Sequence, residues 1–187
     1  NNVIPHQRVQ STTITGRVRL SFMADLPALG YRTYRFYAEG SPVTTTTVQA
    51  SDAVMENGRF KLEFDTETGY ISRLFDKQAQ VNVFVGEGAK PVVINDLSDT
   101  WSHDVFRFDD VAGAFKASSV KLVEHGAVKS VIRVTSQYGN SNLAQDFTMY
   151  PNRDQIDVHV TVNWQEQFKL LKLRFPVNVN FMKVTNE

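Results

Sequence analysis

Arg59-Phe60-Lys61-Leu62-Glu63-Phe64-Asp65-Thr66-Glu67-Thr68-Gly69-Tyr70-Ile71-Ser72-Arg73-Leu74-Phe75 is the stretch on which the fold turns. Phe60, Leu62 and Phe64 alternate with Arg59, Lys61 and Glu63, the period of two that belongs to a half-buried strand. Asp65 to Gly69 is polar and ends on a residue that tolerates positive φ, and apolar character returns from Tyr70 to Phe75. Two alternating runs joined by a short glycine-bearing turn predict a β-hairpin.

The same period continues downstream. Strands are expected at Ser118 to Glu124 and Ala127 to Tyr138, split by His125-Gly126, with Val128, Ser130, Ile132 and Val134 on one side. Leu143 to Tyr150 follows and is closed by the turn Pro151 to Asp154. Ile156, Val158, Val160, Val162 and Trp164 then alternate with Asp157, His159, Thr161 and Asn163. The last run sets Leu171, Leu173, Phe175, Val177, Val179 and Phe181 against Lys172, Arg174, Pro176, Asn178 and Asn180. Pro176 lacks a backbone donor, which predicts an edge position or a bulge there.

Upstream, Val18, Leu20 and Phe22 alternate with Arg17, Arg19 and Ser21, and after turn chemistry at Asp25 to Gly30 a strand is expected over Tyr31 to Tyr37. Val81 to Val85 and Pro91 to Ile94 read as short apolar strands. Only Asn163 to Leu170 has the makings of a helical turn. The expectation is an all-β chain of about ten strands, spaced as in a β-sandwich. Ala38 to Ser51, with glycine, proline and a threonine run, reads as an interdomain connection. Residues 1–50 are therefore expected to be part of a smaller domain with its linker, and 51–187 a larger β-domain.

With 187 residues the chain can bury a core without staples. It has no cysteine, which excludes disulfides and thiolate metal sites. Twenty basic and twenty acidic side chains are interspersed, with no basic stripe of the kind a nucleic acid or an anionic membrane selects. No run reaches the ~20 apolar residues of a membrane helix. Asn1 to Pro5 shows no signal-peptide pattern, so the expected location is cytoplasmic. Both ends look cut, and a piece of a longer protein is expected.

One segment breaks the alternation. Asn95 to Asp110 carries five aspartates (Asp96, Asp99, Asp104, Asp109 and Asp110) together with Trp101, His103 and Phe106. Sugars offer an apolar ring face that stacks on aromatic side chains and a hydroxyl rim that bonds to carboxylates and amides. Asp99, Trp101, His103 and Asp104 are the candidate substrate contacts on that ground. The alternative is that Trp101 and Phe106 pin the loop to the core while the aspartates cap turns. As a metal site the His103, Asp104 and Asp99 cluster lacks a second nearby histidine, and His6, His125 and His159 are scattered. Nucleophile elbows and phosphate loops are absent.

Several spans resemble glycoside hydrolase family 38, the α-mannosidases. Leu26 to Tyr34 (Leu-Pro-Ala-Leu-Gly-Tyr-Arg-Thr-Tyr) is similar to that family's Pro-x-x-Gly-Tyr-x-x-Tyr segment. Met55 to Phe64 and Thr68 to Lys77 resemble its Glu-Asn … Thr-Gly-x-Ile … Leu-x-Asp-Lys hairpin, and Leu143 to Tyr150, Ile156-Asp157 and Val162 to Pro176 its downstream strands. The likeness runs in order from about residue 17 to 180, and Asp99-Thr100-Trp101 looks most like the bacterial form.

The resemblance implies part of a small β-sandwich followed by a galactose-mutarotase-like supersandwich, incomplete at its C-terminus. It implies a parent enzyme that hydrolyses α-mannosidic bonds with retention, through an aspartate nucleophile and a bound zinc in a preceding catalytic barrel. None of those motifs, including the family's His-His-Asp segment, occurs here, so no catalytic or metal residue is expected on this chain. The implied partners are the barrel of the same parent chain and a mannose-containing oligosaccharide. A free-standing carbohydrate-binding module is the alternative, and mutarotase activity on His125 and His159 rests on fold analogy alone.

Overall fold

The computed structural model describes residues 3–10, 18–37, 47–99 and 101–179. Among them there are fourteen strands and no helix. β1 (His6–Gln10) and β2 (Val18–Phe22) form an antiparallel pair. β3 (Gln49–Ser51), β4 (Val54–Glu56), β5 (Phe60–Phe64), β6 (Ile71–Asp76) and β7 (Val81–Asn82) make a five-stranded meander in chain order. β8 (Lys90–Asn95), β9 (Val111–Ala114) and β14 (Lys169–Arg174) form a three-stranded sheet with β8 in the middle. β10 (Lys116–His125), β11 (Ser130–Tyr138), β12 (Ser141–Met149) and β13 (Ile156–Asn163) complete the fold as a four-stranded meander.

The hairpin at Arg59 to Phe75 is formed by β5 and β6, with Leu62 opposite Leu74 and a register shift at Glu63/Phe64. Asp65 shapes its turn by accepting from the backbone N–H groups of Glu67 (2.9 Å) and Thr68 (2.8 Å). Gly69 sits at φ 75°, and a Cβ there would lie 2.6 Å from Val134 Cγ1 and 2.7 Å from the Ala117 Cβ. Only glycine meets both demands, the left-handed backbone and the close approach of the opposite sheet.

The main core lies between the five-stranded and four-stranded sheets. Val48, Met55, Leu62, Phe64 and Ile71 from one layer meet Ile132, Val134, Phe147 and Met149 from the other. Phe64 and Phe147 touch edge to face with centroids 4.8 Å apart, a geometry that aromatic quadrupoles favour. A second cluster joins the three-stranded sheet to the same four-stranded layer through Val93, Phe115 and Leu143, flanked by Tyr138, Trp164 and Leu171. The four-stranded sheet thus backs both the five-stranded and the three-stranded sheet, which makes the fold an all-β sandwich.

Asn57 ties the layers together at one end. Its Oδ1 accepts from the N–H of Arg59 (2.9 Å) and Phe60 (2.7 Å), forming the β4–β5 turn. Its Nδ2 donates to the carbonyls of Tyr150 (2.7 Å) and Arg153 (3.2 Å), in the β12–β13 turn of the opposite sheet. At the other side, Gln7 of β1 is buried against the β10–β11 turn. It accepts from the N–H of Val128 (2.7 Å) and Lys129 (2.9 Å) and donates to Glu124.

Some expectations need correction. Tyr31 to Tyr37 is not a strand. Tyr34 instead closes a loop by accepting from the Asp25 N–H and donating to its carbonyl, both at 2.9 Å, while Tyr34 and Phe36 pack their rings on Phe22. Alternation without a neighbouring strand to pair with does not make a sheet. Asn163 to Leu170 holds no helical turn, because Glu166 is drawn to the Asn140 N–H (3.0 Å) and Ser141 Oγ (3.1 Å). The last run stops as a strand at Arg174, just before Pro176, and resumes only as a bridge between Val177 and Phe84. Gln49–Ser51, within the stretch read as a connection, is β3 of the meander, whereas residues 38–46, Arg17, Thr100, Asn180 and Phe181 lie outside the described residues.

Asn57→Ala should cost about 2–4 kcal/mol of unfolding free energy, because buried donors and acceptors in both turns lose their partner. Urea denaturation checks this, and a loss below about 0.5 kcal/mol would show that water replaces the amide.

Candidate functional site

The loop between β8 and β9 is built by its own carboxylates. At its base the Asn95 N–H donates to the Asp110 carbonyl (2.8 Å), the Asn95 side-chain amide donates to the Asp110 carboxylate (3.1 Å), and the Asp96 N–H donates to the Phe168 carbonyl (2.8 Å). Asp96 also accepts from the N–H (3.0 Å) and hydroxyl (2.5 Å) of Ser98. Asp99 organises the tip: Oδ1 accepts from the N–H of Trp101 (3.0 Å) and His103 (3.1 Å), and Oδ2 meets His103 Nδ1 at 2.5 Å. An aspartate accepting N–H groups two residues on is the usual device for reversing a chain without a strand partner.

Two residues of the tip, Ser102 (φ 55°) and Asp104 (φ 60°), take left-handed backbone. Trp101 is 81% exposed, Phe106 93% and Leu97 84%. The two readings left open by the sequence are thereby separated. Trp101 and Phe106 do not pin the loop to the core, whereas Asp96 and Asp99 do cap its turns. The pinning falls to Phe108, whose carbonyl accepts from Lys172 Nζ at 2.9 Å with the ammonium 5.4 Å from its ring centroid.

The four expected contacts, Asp99, Trp101, His103 and Asp104, therefore share one tip, on which His103 and Asp104 are exposed, as Trp101 is. Leu97 was not singled out from the sequence, because an isolated leucine in a polar run carries no periodic signal. The His103 ring, and then the backbone N–H groups of His103, Trp101 and Ser102, hold the Asp99 carboxyl below the ordinary carboxylate range. Both oxygens of Asp99 bond within the loop, so this carboxylate shapes the turn that carries Trp101. Among the described residues no three His, Asp or Glu side chains converge to hold a metal. The described residues thus offer no ready donor set for the zinc that the resemblance implies. Elsewhere, His125 Nδ1 lies 2.9 Å from Ser130 Oγ, and His159 stands on β13 opposite Asp146.

The model of the "Glycosyl hydrolases family 38 C-terminal domain" matches residues 55–187. The chain belongs to glycosyl hydrolase family 38. Within that C-terminal domain lie the β5–β6 hairpin, all of the main core named above except Val48, and the loop from Asn95 to Asp110. Alpha-mannosidase G of Dictyostelium discoideum is 23% identical over 141 residues, a match that covers 68% of this family 38 chain and 13% of that protein. The chain thus corresponds to a small part of that relative's length.

Because the Asp99 carboxylate is favoured in the folded loop, its contribution is present at neutral pH and is lost only as pH falls through its lowered value. Fluorescence of Trp101 in a Trp164→Phe background should stay constant on acidification through the ordinary carboxylate range and change below it. Asp99→Asn should abolish that transition. A change already complete at the ordinary carboxylate pKa would show that Asp99 does not order the tip.

Proposed function

We propose that this chain is the β-domain of a retaining α-mannosidase and that the loop from Asp99 to Phe106 forms one wall of its sugar site. The observation that carries the reading is the tip itself, where Trp101 and Phe106 stay in water beside His103 and Asp104. Keeping two large aromatic rings solvated forgoes roughly 25 cal/mol for each Å² left uncovered. The ring face of a mannosyl unit is the apolar partner such a surface suits, with the neighbouring polar groups available to its hydroxyls. Membership of family 38 and the match to an α-mannosidase support a mannose-containing glycan as the substrate.

In this reading the nucleophile and zinc belong to a catalytic barrel of the parent chain, and the β-domain scaffolds that barrel. The work of the residues present is to bind and orient the sugar and to exclude water from one side of it. Asp99 is a positioning residue, since its oxygens hold the backbone of the tip.

The 187-residue chain, carefully purified, should not turn over an aryl α-mannoside, and turnover would sink this division of labour. In the parent enzyme Trp101→Ala should lower kcat/KM about ten-fold, a loss of about 1.4 kcal/mol in transition-state binding. An unchanged kcat/KM would remove Trp101 from the site. Affinity of the isolated chain for methyl α-mannoside, lost in the same variant, would favour the free-standing binding module instead.

A further inference from the structure

Asn57 and Gly58 form the single Asn-Gly pair in the 187-residue sequence. Asparagine is a thermolabile residue, and its side chain carries a latent reaction in that setting. The backbone nitrogen of the following residue gives up its proton and attacks Cγ. The tetrahedral carbon expels Nδ2 as ammonia, and a five-membered succinimide closes. One water then opens the ring, either to an aspartyl residue or to an isoaspartyl residue whose main chain runs through the former side chain. Glycine in the following position favours the attack, since no Cβ crowds the approaching nitrogen.

The structure divides this reaction into a prepared half and a blocked half. Gly58 is exposed, and a Cβ on it would meet nothing within 4 Å. The Asn57 carbonyl, conjugated with the Gly58 nitrogen, accepts from Lys77 Nζ at 2.7 Å, and a cation there favours loss of the Gly58 proton. The leaving group, by contrast, is held. Nδ2 donates to the carbonyls of Tyr150 (2.7 Å) and Arg153 (3.2 Å), and Oδ1 accepts from the N–H groups of Arg59 (2.9 Å) and Phe60 (2.7 Å). The residue as a whole is 7% exposed. Making Cγ tetrahedral turns both atoms away from these partners, and ammonia must depart from a nitrogen that water does not reach.

The product cannot refill the place of the amide. Aspartate at 57 sets a carboxylate oxygen against two carbonyls, acceptor against acceptor, at a buried position. An isoaspartyl link lengthens the main chain by a methylene ahead of Arg59 and Phe60, whose N–H groups then no longer converge on one side-chain oxygen.

We propose that Asn57-Gly58 is a deamidation site which folding shields and unfolding releases, so that time spent unfolded is recorded as a covalent change where the two sheets are tied. A chain modified there cannot restore the contact between the β4–β5 and β12–β13 turns, which makes its unfolding irreversible.

The test holds the 187-residue chain at mildly alkaline pH, in buffer and in guanidinium chloride, with the buffer sample verified as folded by exchange protection of the β11 and β12 amides. Peptide mass spectrometry, reading a gain of about 1 Da at Asn57, should find conversion roughly a hundred-fold or more slower in buffer. Chain recovered from a long hold in denaturant should refold with a lowered urea midpoint, and freshly made N57D should show a lowered midpoint without any hold. G58A, whose methyl group has open space in the fold and hinders the attack, should return to its starting midpoint after the same hold. Equal conversion of Asn57 in the two conditions overturns the shielding. An unchanged midpoint in the converted chain or in N57D overturns the consequence for the fold, and a G58A chain that loses its midpoint as fast as wild type assigns the damage to another residue.

Discussion

The side-chain amide of Asn57 is the joint between the two layers of this sandwich. One end shapes the β4–β5 turn, and the other holds two carbonyls of the turn that follows β12. Sheet faces packed only through Leu62, Phe64, Ile132 and Phe147 could slide, because dispersion contacts are non-directional. Four directional bonds at a buried position forbid that sliding. Once the layers are fixed, Gly69 must pass beneath Val134 and Ala117, and the β5–β6 turn has only one way to close. The Asn57 side chain thereby fixes the β4–β5 turn against the turn after β12, while the alternation of Leu143, Phe147 and Met149 sets which face of β12 is buried.

The same rigid frame supports an unbalanced rim. β8, apolar and buried along its middle, delivers the chain to the loop at Asn95, and β9 receives it again at Val111. Between them the backbone finds few partners in a sheet, so aspartate side chains supply the acceptors that a neighbouring strand would otherwise give. Aromatic side chains that have no role in shaping the loop are left in water. The electrostatics of the loop therefore act on its own geometry, and Trp101 and Phe106 are what the tip presents to solvent.

Legibility varied with how local the determining interaction is. The β5–β6 hairpin, β11, β12 and β13 could be read directly, since period-two alternation is written into consecutive residues. Tyr31 to Tyr37 has the same alternation and is a loop, because the deciding interaction is between Tyr34 and Asp25 and no strand lies beside it. β3, β1 and β9 went unread, being short pieces whose strand character comes from their neighbours. Gln7 carries no signal at all, since its meaning lies in backbone N–H groups more than a hundred residues away. At the loop, the residue types that could contact a sugar were legible, while the exposure of Trp101 and Phe106 was not.

The sequence by itself determined the all-β class, the main strands, the family and the loop in which polar and aromatic groups coincide. Each of these follows from residue identity and spacing along a few neighbouring positions. Only the tertiary structure decided which alternating faces are covered. Val158, Val160 and Val162 have the same pattern as Leu143, Phe147 and Met149, yet the first three are 37–46% exposed and the second three lie in the core. Alternation states that a strand has an apolar side, and the extent of the opposing layer states whether anything packs against it.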